Sequence, residues 1–234
     1  MFNRRSLVAL VASLAIALTA SPALAGSDSF HFRGSGSSAY GFFTNVPMDQ
    51  EQIPPGSYFY TDIWASHSIV TGDGDTYEDS GACVFHYAFT IDAAGNWTGD
   101  QSFGTCVSGA ELSFAKRLAG ASLVANLPLE ECLAWDEATG ECTEVVNLGT
   151  ALVDLTWTGV GPTYRYHGTG SGGAAGNYQY AYHGTDSSRN ASPSGSLSFI
   201  GPDGSEQDLT GGLDGLGSIS QSRDGYVEVI ITHG

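Results

Sequence analysis

The sequence predicts an all-β protein, in its simplest form an antiparallel β-sandwich, with a β-barrel or a jelly-roll-like arrangement as the alternative. Two observations lead to this fold class. Many short segments alternate apolar and polar residues, and clusters of Gly, Pro, Asn and Asp separate them. The chain has 32 glycines, yet 11% of its residues are aromatic and only 14% are charged, which is typical of a folded chain in which glycine marks turns.

Residues 1–25 have the organisation of a secretory signal peptide. Arg4 and Arg5 precede an apolar run from Leu7 to Ala20, and small residues follow up to Ala25, so we expect cleavage after Ala25. The run is shorter than the roughly 20 residues that cross a bilayer as a helix. We therefore expect a secreted protein of residues 26–234 without a membrane span.

The charge of the chain limits the classes of partner. Asp and Glu number 25 against 8 Lys and Arg, for a formal net charge of −17. Nucleic acid and anionic membranes are therefore unfavourable partners. Divalent cations and basic surfaces remain compatible with this charge, as does a plain solubilising coat.

An acidic loop precedes the first cysteine. Asp73, Asp75 and Asp79 stand near Gly74, and carboxylates in a glycine-containing loop can converge on Ca²⁺, the one cofactor that the sequence allows. The spacing lacks the glycine and the glutamate of an EF-hand loop at their required positions. A solvated acidic loop is the better interpretation, so we expect no cofactor, with Ca²⁺ as the alternative.

A β-hairpin from Cys83 to Cys106 is the clearest element. From Cys83 to Ile91 the residues alternate between two faces, Asp92 to Asn96 supplies a turn, and Trp97 starts a return strand. With the turn centred between positions 94 and 95, the two cysteines face each other. We therefore predict a disulfide bond between Cys83 and Cys106.

The second pair of cysteines repeats this logic on a smaller scale. Cys132 and Cys142 flank a turn-rich stretch and lie symmetrically about residue 137. Four cysteines allow three pairings, and the two local bridges are the pairing we predict for an exported chain. Cysteine and histidine spacings typical of a zinc site are absent from the sequence.

The remaining elements follow from alternation and turn signals. Residues 110–121 fit a brief helical turn or a strand equally well. Turn signals at 54–56, 159–162, 202–204 and 224–225 separate the others. The predicted strands are Ser57 to Val70, Ser122 to Leu133, Thr143 to Leu148, Ala151 to Thr158, Thr163 to Thr169, Tyr178 to Thr185, Ser196 to Ile200 and Tyr226 to Thr232.

A faint internal repeat bears on the domain organisation. The segment 30–37 and the segment 164–171 share the order aromatic, polar, aromatic, basic, Gly, hydroxyl, Gly, Ser. Residues 26–109 and 150–234 are therefore interpreted as two related β-units within the region 26–234. A chance likeness between two glycine-rich hairpins is the alternative.

A tyrosine-rich hairpin is the main candidate for a binding surface. With a loop near Gly173, one face of the hairpin carries five tyrosines, while Arg165, His167, Gln179 and His183 occupy the other face. Tyrosine in place of valine or leucine favours a surface that stays partly wet and can stack sugar rings or bind a protein. Packing of this face against an opposite sheet is the alternative. The five residues are Tyr164, Tyr166, Tyr178, Tyr180 and Tyr182.

The sequence contains no convincing catalytic or cofactor-binding motif. The glycines at 168–173 match G-x-G-x-x-G, but the segment after them alternates like a strand, whereas a dinucleotide site needs a helix there. No G-x-S-x-G elbow occurs. His86 lies on an alternating strand, where a structural histidine is a better interpretation than a catalytic base.

The sequence therefore predicts a non-catalytic extracellular protein that binds a glycan or another protein. One alternative is a secreted hydrolase that acts on polysaccharide through paired carboxylates distant in sequence. A second alternative is an inhibitor or structural component that acts through a disulfide-closed loop.

Overall fold

The computed structural model describes residues 26–47, 52–72, 74–135, 142–174 and 178–233. Segment 1–25, interpreted as a signal peptide, lies outside the described residues, as does Asp73. The described residues are almost entirely antiparallel β-structure, which confirms the all-β prediction. No helix among them is long and apolar enough to cross a bilayer.

Ten strands and one short 3-10 turn follow one another along the described residues. The turn comprises Lys116–Leu118. The strands are β1 Gly26–Thr44, β2 Gly56–Gly72, β3 Asp75–Ile91, β4 Trp97–Ser108, β5 Glu111–Phe114, β6 Gly120–Trp135, β7 Cys142–Ala174, β8 Tyr178–Ile200, β9 Glu206–Asp208 and β10 Leu216–His233.

All ten strands belong to one sheet. Its order is β4-β3-β2-β1-β10-β8-β7-β6-β5, and β9 pairs with β8 outside this path. A sandwich of two separate sheets would need a break between the halves, but β10 pairs with both β1 and β8 and joins them. If two layers face each other as in a sandwich, they are therefore two parts of one continuous, curved sheet.

The sheet curves so that its inner face encloses a single core. The Trp157 indole on β7 donates a hydrogen bond of 2.9 Å to the Tyr40 carbonyl on β1, and the rings of Phe103 on β4 and Phe199 on β8 lie 4.8 Å apart. Strands that are distant in the sheet order thus meet across the interior. Fully buried side chains of this core include Ile63, Val84, Leu123, Leu127, Leu155, Leu197 and Ile219.

Several strands are longer than the sequence predicts, because turn signals become bulges. The segment 159–162 does not break β7: Val160 pairs with Asn190 and Tyr164 with Ser188, so β7 holds two extra residues there. Gly161, at a φ of 72°, permits this bulge. A second bulge absorbs the predicted turn at 224–225 in β10.

The segment 110–121 contains both of its predicted alternatives in turn. β5 comes first, the 3-10 turn follows, and β6 begins at Gly120. Leu118 has a φ of 55° and is buried in the core. Burial of this side chain offsets the strain that positive φ imposes on a leucine.

Four strand ends extend beyond the core as a ribbon, which we call the arm. It consists of residues 26–34 of β1, 225–233 of β10, 178–185 of β8 and 164–174 of β7, in that spatial order. None of them belongs to the buried core cluster. The arm therefore presents both of its faces outside the core.

The hairpin of β3 and β4 confirms the first predicted disulfide bond. Cys83 pairs directly with Cys106 across the two strands, at a Cα–Cα distance of 4.0 Å, and the two are bonded. The turn is centred at Ala94, half a residue from the predicted point, and a bulge at Asp100 restores the predicted register.

The second predicted bridge concerns side chains outside the described residues. The backbone register places Cys132 opposite Val145 and Cys142 opposite Trp135, with bulges between these pairs. The bond between Cys132 and Cys142 therefore stays a prediction. The two segments of the predicted repeat both lie in or beside the arm, at opposite edges of it.

Candidate functional site

The tyrosines of the arm share one face. Within the described side chains, Tyr164 and Tyr166 of β7 and Tyr180 and Tyr182 of β8 occupy positions of equal parity in a ladder that is continuous from Tyr164 to Ala174. We call these four residues the tyrosine face. The side chain of Tyr178 lies outside the described residues, although its backbone position has the same parity.

The register differs from the predicted one. Ala174 pairs with Tyr178 rather than the strands meeting near Gly173, so Tyr166 lies opposite Asp186, not opposite a tyrosine. Tyr180 and Tyr182 instead face Gly172 and Gly170. The shift is an even number of residues, so it leaves every tyrosine on the same side of the ribbon.

Glycines beneath the tyrosine rings explain the orientation of these rings on the arm. A Cβ atom added at Gly172 would come within 2.9 Å of the Tyr180 ring, and one at Gly168 would stand 3.2 Å from Tyr166 and 3.4 Å from Tyr182. The rings therefore lie down over backbone that has no side chain. Tyr166 is still 62% exposed and Tyr180 43% exposed, so one surface of each ring faces solvent.

The tyrosine face continues into an apolar strip across the arm. Phe30 on β1, Val229 on β10 and Tyr180 on β8 are direct neighbours in one row of the ladder. Val229 is only 8% exposed, because the aromatic rings on both sides cover it. This row stabilises the arm without help from the core.

The electrostatic setting favours the neutral form of the Tyr182 phenol. Partial burial, followed by the charge of Asp186 and by the neighbouring Tyr166, raises the pKa of Tyr182. Neutral phenols can both donate and accept hydrogen bonds. The face can therefore offer rings for stacking and hydroxyl groups for polar contacts.

The opposite face of the arm is polar. His31 Nδ1 lies 2.6 Å from the Tyr226 hydroxyl, and the ring of His183 stacks on Tyr226 at 5.1 Å. Glu228 stands 4.0 Å from His31. The two faces of one ribbon thus differ sharply in chemistry, and each serves as an internal comparison for the other.

A second aromatic surface, which sequence reasoning missed, lies on the outer side of β1, β2 and β3. Its members are Tyr40, Tyr60, Trp64 and Phe85, which surround Asp62: Phe85 lies across from Asp62 on β3, and Tyr60 and Trp64 stand two positions away along β2. We call it the body surface. Alternating aromatics in Ser57 to Val70 were the signal that could have revealed it.

One hydrogen bond organises the body surface. The Tyr40 hydroxyl donates to Asp62 Oδ1, and burial of the ring together with this bond to a carboxylate raises the pKa of Tyr40. Trp64 is 41% and Phe85 49% exposed. The ring of Phe85 lies over Gly104, in the same way that Tyr180 covers Gly172.

His86 lies inside the core, not at a surface site. It is 3% exposed, and its ring packs between those of Phe59 and Phe103 at 6.0 and 5.4 Å. The prediction of a structural histidine fits this burial. One nitrogen, Nε2, has no hydrogen-bond partner among the described residues.

The structure does not bring the described acidic-loop residues together. Asp75 and Asp79 both lie on β3, four residues apart on an extended strand, which corresponds to about 13 Å. Asp73 is outside the described residues. Over the described part of the chain, no group of three His, Cys, Asp or Glu side chains has a geometry that could hold a metal ion.

Two shallow depressions lie elsewhere on the surface. Asn126, Asn147 and Thr150 are among the residues that line the first. Tyr40, Phe42 and Leu216 line the second, at the edge of the body surface. Neither lining includes an Asp or a Glu.

Comparisons with known proteins add little to this site. No protein-family model and no curated protein matches the chain. A solved structure with some similarity is an acetoacetate decarboxylase-like enzyme from Sphingomonas wittichii RW1, at 9% identity and a TM-score of 0.27, covering 92% of this chain and 96% of that chain. A similarity of this size supports neither a fold assignment nor an activity.

Proposed function

We propose that residues 26–234 form a secreted, non-catalytic binding protein whose tyrosine face holds an uncharged glycan. The observation that carries the proposal is the arrangement of Tyr166 and Tyr180, whose rings lie over glycines and remain exposed to solvent. Flat aromatic surfaces stack on the apolar faces of sugar rings, and phenol hydroxyls reach the sugar hydroxyls.

The electrostatics favour a neutral ligand. Asp186 lies near the tyrosine face and contributes to the raised pKa of Tyr182, and the chain as a whole has a formal charge of −17. An anionic glycan would be repelled by this field. A neutral glycan is not subject to this electrostatic repulsion.

Export of the chain is supported by its chemistry. The bond between Cys83 and Cys106 is of a kind that persists in oxidising compartments and is rare in the cytosol. The basic start, apolar run and small residues before Gly26 provide the signal. Amino-terminal sequencing of the protein collected outside the cytoplasm should start at Gly26.

The binding test uses mature protein on an array of neutral polysaccharides and oligosaccharides. The double substitution Tyr166→Ala and Tyr180→Ala should abolish the signal and leave the melting temperature nearly unchanged. Phenylalanine at the same two positions should retain most of the binding, because the rings remain. The matched control, Tyr226→Ala with His183→Ala, alters the opposite face of the arm and should bind normally.

Three outcomes would refute the proposal. If the wild-type protein binds nothing on the array, a neutral glycan is excluded as the ligand and a protein ligand is the remaining candidate. If the double variant at Tyr166 and Tyr180 binds as well as the wild-type protein, the tyrosine face is not the binding site. A collapsed melting transition in that variant would show that the rings are part of the core.

A further inference from the structure

The tyrosine face and the body surface lie on the same side of the sheet. Pairing of β1 with β2 is uninterrupted from Phe32 to Thr44, so residues of equal parity on β1 keep to one side. Phe32 is in the row of the arm that contains Tyr182, and Tyr40 belongs to the body surface. One side of β1 therefore carries both.

On β1, a floor of small residues lies between Phe32, in the arm row that contains Tyr182, and Tyr40 of the body surface. Phe32 and Tyr40 are eight residues apart on β1, which corresponds to about 26 Å of extended strand. The positions between them on this side of β1 are Gly34, Gly36 and Ser38; on β2, Val70 lies beside Gly34, Ser68 beside Gly36 and Ser66 beside Ser38. Rings thus stand at both ends of a low strip on which an extended chain can lie.

The charge of the strip restricts what can lie there. On this side of residues 32–44, 56–72 and 75–91, the charged residues are Asp62, Asp75 and Asp79, and Lys, Arg and His are absent. An anionic polysaccharide would therefore meet no positively charged side chain on this side of these three segments. The floor is rich in hydroxyls, including the Ser38 and Ser220 pair at 2.6 Å, which can exchange hydrogen bonds with sugar hydroxyls.

We propose that a single linear, uncharged polysaccharide chain contacts both surfaces, with its middle part over the glycine and serine floor. The inference rests on the proposed function and names its ligand class: a polymer, not a short oligosaccharide. Asp62 accepts hydrogen bonds from the sugar hydroxyls at the body end, where Trp64 and Phe85 supply stacking surfaces.

Chain length is the property that distinguishes this arrangement. A sugar chain shorter than the floor can occupy one surface at a time. A longer chain that is held at one surface reaches the other at a high effective concentration, so its affinity rises without any new type of contact. A single-surface protein would show no such rise once its site is filled.

The experiment measures affinity by calorimetry against size-graded, neutral oligosaccharides of cellulose, xylan, mannan and starch, from the disaccharide to the octasaccharide. For the series that binds, affinity should rise by at least about tenfold between short and long chains. The double variant Trp64→Ala and Phe85→Ala should bind long chains no better than short ones. Its affinity for short chains at the tyrosine face should be unchanged.

A matched control removes exposed apolar side chains elsewhere on the outer face. Val124 and Leu152 are exposed on β6 and β7, and Val124→Ala with Leu152→Ala should keep the full dependence on chain length. Binding by the wild-type protein without any dependence on chain length would overturn the inference and leave the proposed function intact. Absence of binding to any series would overturn both.

Discussion

Thr61 and His86 share a hydrogen bond of 2.8 Å between Oγ1 and Nδ1 inside the core. The Thr61 hydroxyl donates its hydrogen to the Leu209 carbonyl at 2.6 Å, so it must accept from His86. The proton of the neutral imidazole therefore lies on Nδ1. Nε2 is an unprotonated nitrogen that has no hydrogen-bond partner in the described part of the chain, and the rings of Phe59 and Phe103 flank the imidazole.

The first prediction concerns pH. Burial lowers the pKa of His86 below its ordinary value of 6.5, so the unfolded chain takes up a proton more readily than the folded one. The stability is thus complete above about pH 6.5 and falls as the pH drops below that value. Urea unfolding of the wild-type protein between about pH 7.5 and pH 5 should show this loss.

The substitution His86→Phe isolates the contribution. It preserves an aromatic ring between Phe59 and Phe103, removes the titrating nitrogen, and leaves Thr61 bonded to Leu209. The loss of stability below pH 6.5 should be smaller in the variant than in the wild type. If the free energy of unfolding depends on pH in the same way in the variant and in the wild type, titratable groups other than His86 cause the loss of stability.

The second prediction concerns Asp208, which orders the loop between β9 and β10. Its carboxylate accepts hydrogen bonds from the Thr210 amide and hydroxyl and from the Gly212 amide. Burial opposes ionisation here, but the bonds from Thr210 and the loop amides prevail and lower the pKa of Asp208. This contribution is present above the ordinary carboxyl pKa and is lost as the pH falls through the lowered one.

Removal of the carboxylate should be costly because the loop places Leu209, which is fully buried, and its carbonyl in the core. Asp208→Ala should lower the free energy of unfolding by about 1 to 2 kcal/mol. Asp203 makes similar bonds to Ser205 in an exposed turn, so Asp203→Ala is the control with a smaller effect. Equal effects of the two substitutions would contradict the role of the Asp208 loop.

The third prediction concerns the disulfide bond. The bond between Cys83 and Cys106 spans 23 positions, and a loop of that size gives a stabilisation of about 3 kcal/mol. Cys83→Ala with Cys106→Ala should lower the stability by about that amount in urea unfolding. Non-reducing peptide mapping should link 83 with 106 and 132 with 142, and a peptide that joins one pair to the other would refute both bridges.

The fourth prediction concerns two glycines. Gly195 has a φ of 124°, and a Cβ atom there would stand 2.1 Å from the Asp154 carbonyl oxygen. Because both the backbone conformation and the neighbouring strand oppose a side chain, Gly195→Ala should cost about 3 kcal/mol or more. Gly170 has open space for a Cβ atom, so Gly170→Ala in the arm should leave the melting temperature nearly unchanged.

The sequence predicted pairings that depend on alternation. Alternation placed Cys83 opposite Cys106, and it grouped Tyr164 with Tyr180 on one face, because parity survives an even shift in register. It did not reveal where strands continue through bulges. Gly161 and Gly225 mark local irregularities within long strands, but the same residues end strands in other proteins.

Features that depend on distant contacts were out of reach of sequence reasoning. The Leu209 carbonyl, far along the chain, accepts the hydrogen of the Thr61 hydroxyl and so fixes the His86 proton on Nδ1, which leaves Nε2 unprotonated. The body surface requires β1, β2 and β3 in one register. Tyr40 and Asp62 then meet across two strands, although nothing local in either segment indicates the partner.

The position of β10 affects how this protein folds. Because β10 lies between β1 and β8, the amino-terminal strands have an open edge until residues 216–233 have been synthesised, and the two halves of the sheet cannot join before then. Completion of the sheet is therefore a late event that follows the synthesis of most of the chain. Truncation within β10 should leave two unjoined halves with exposed, aggregation-prone edges.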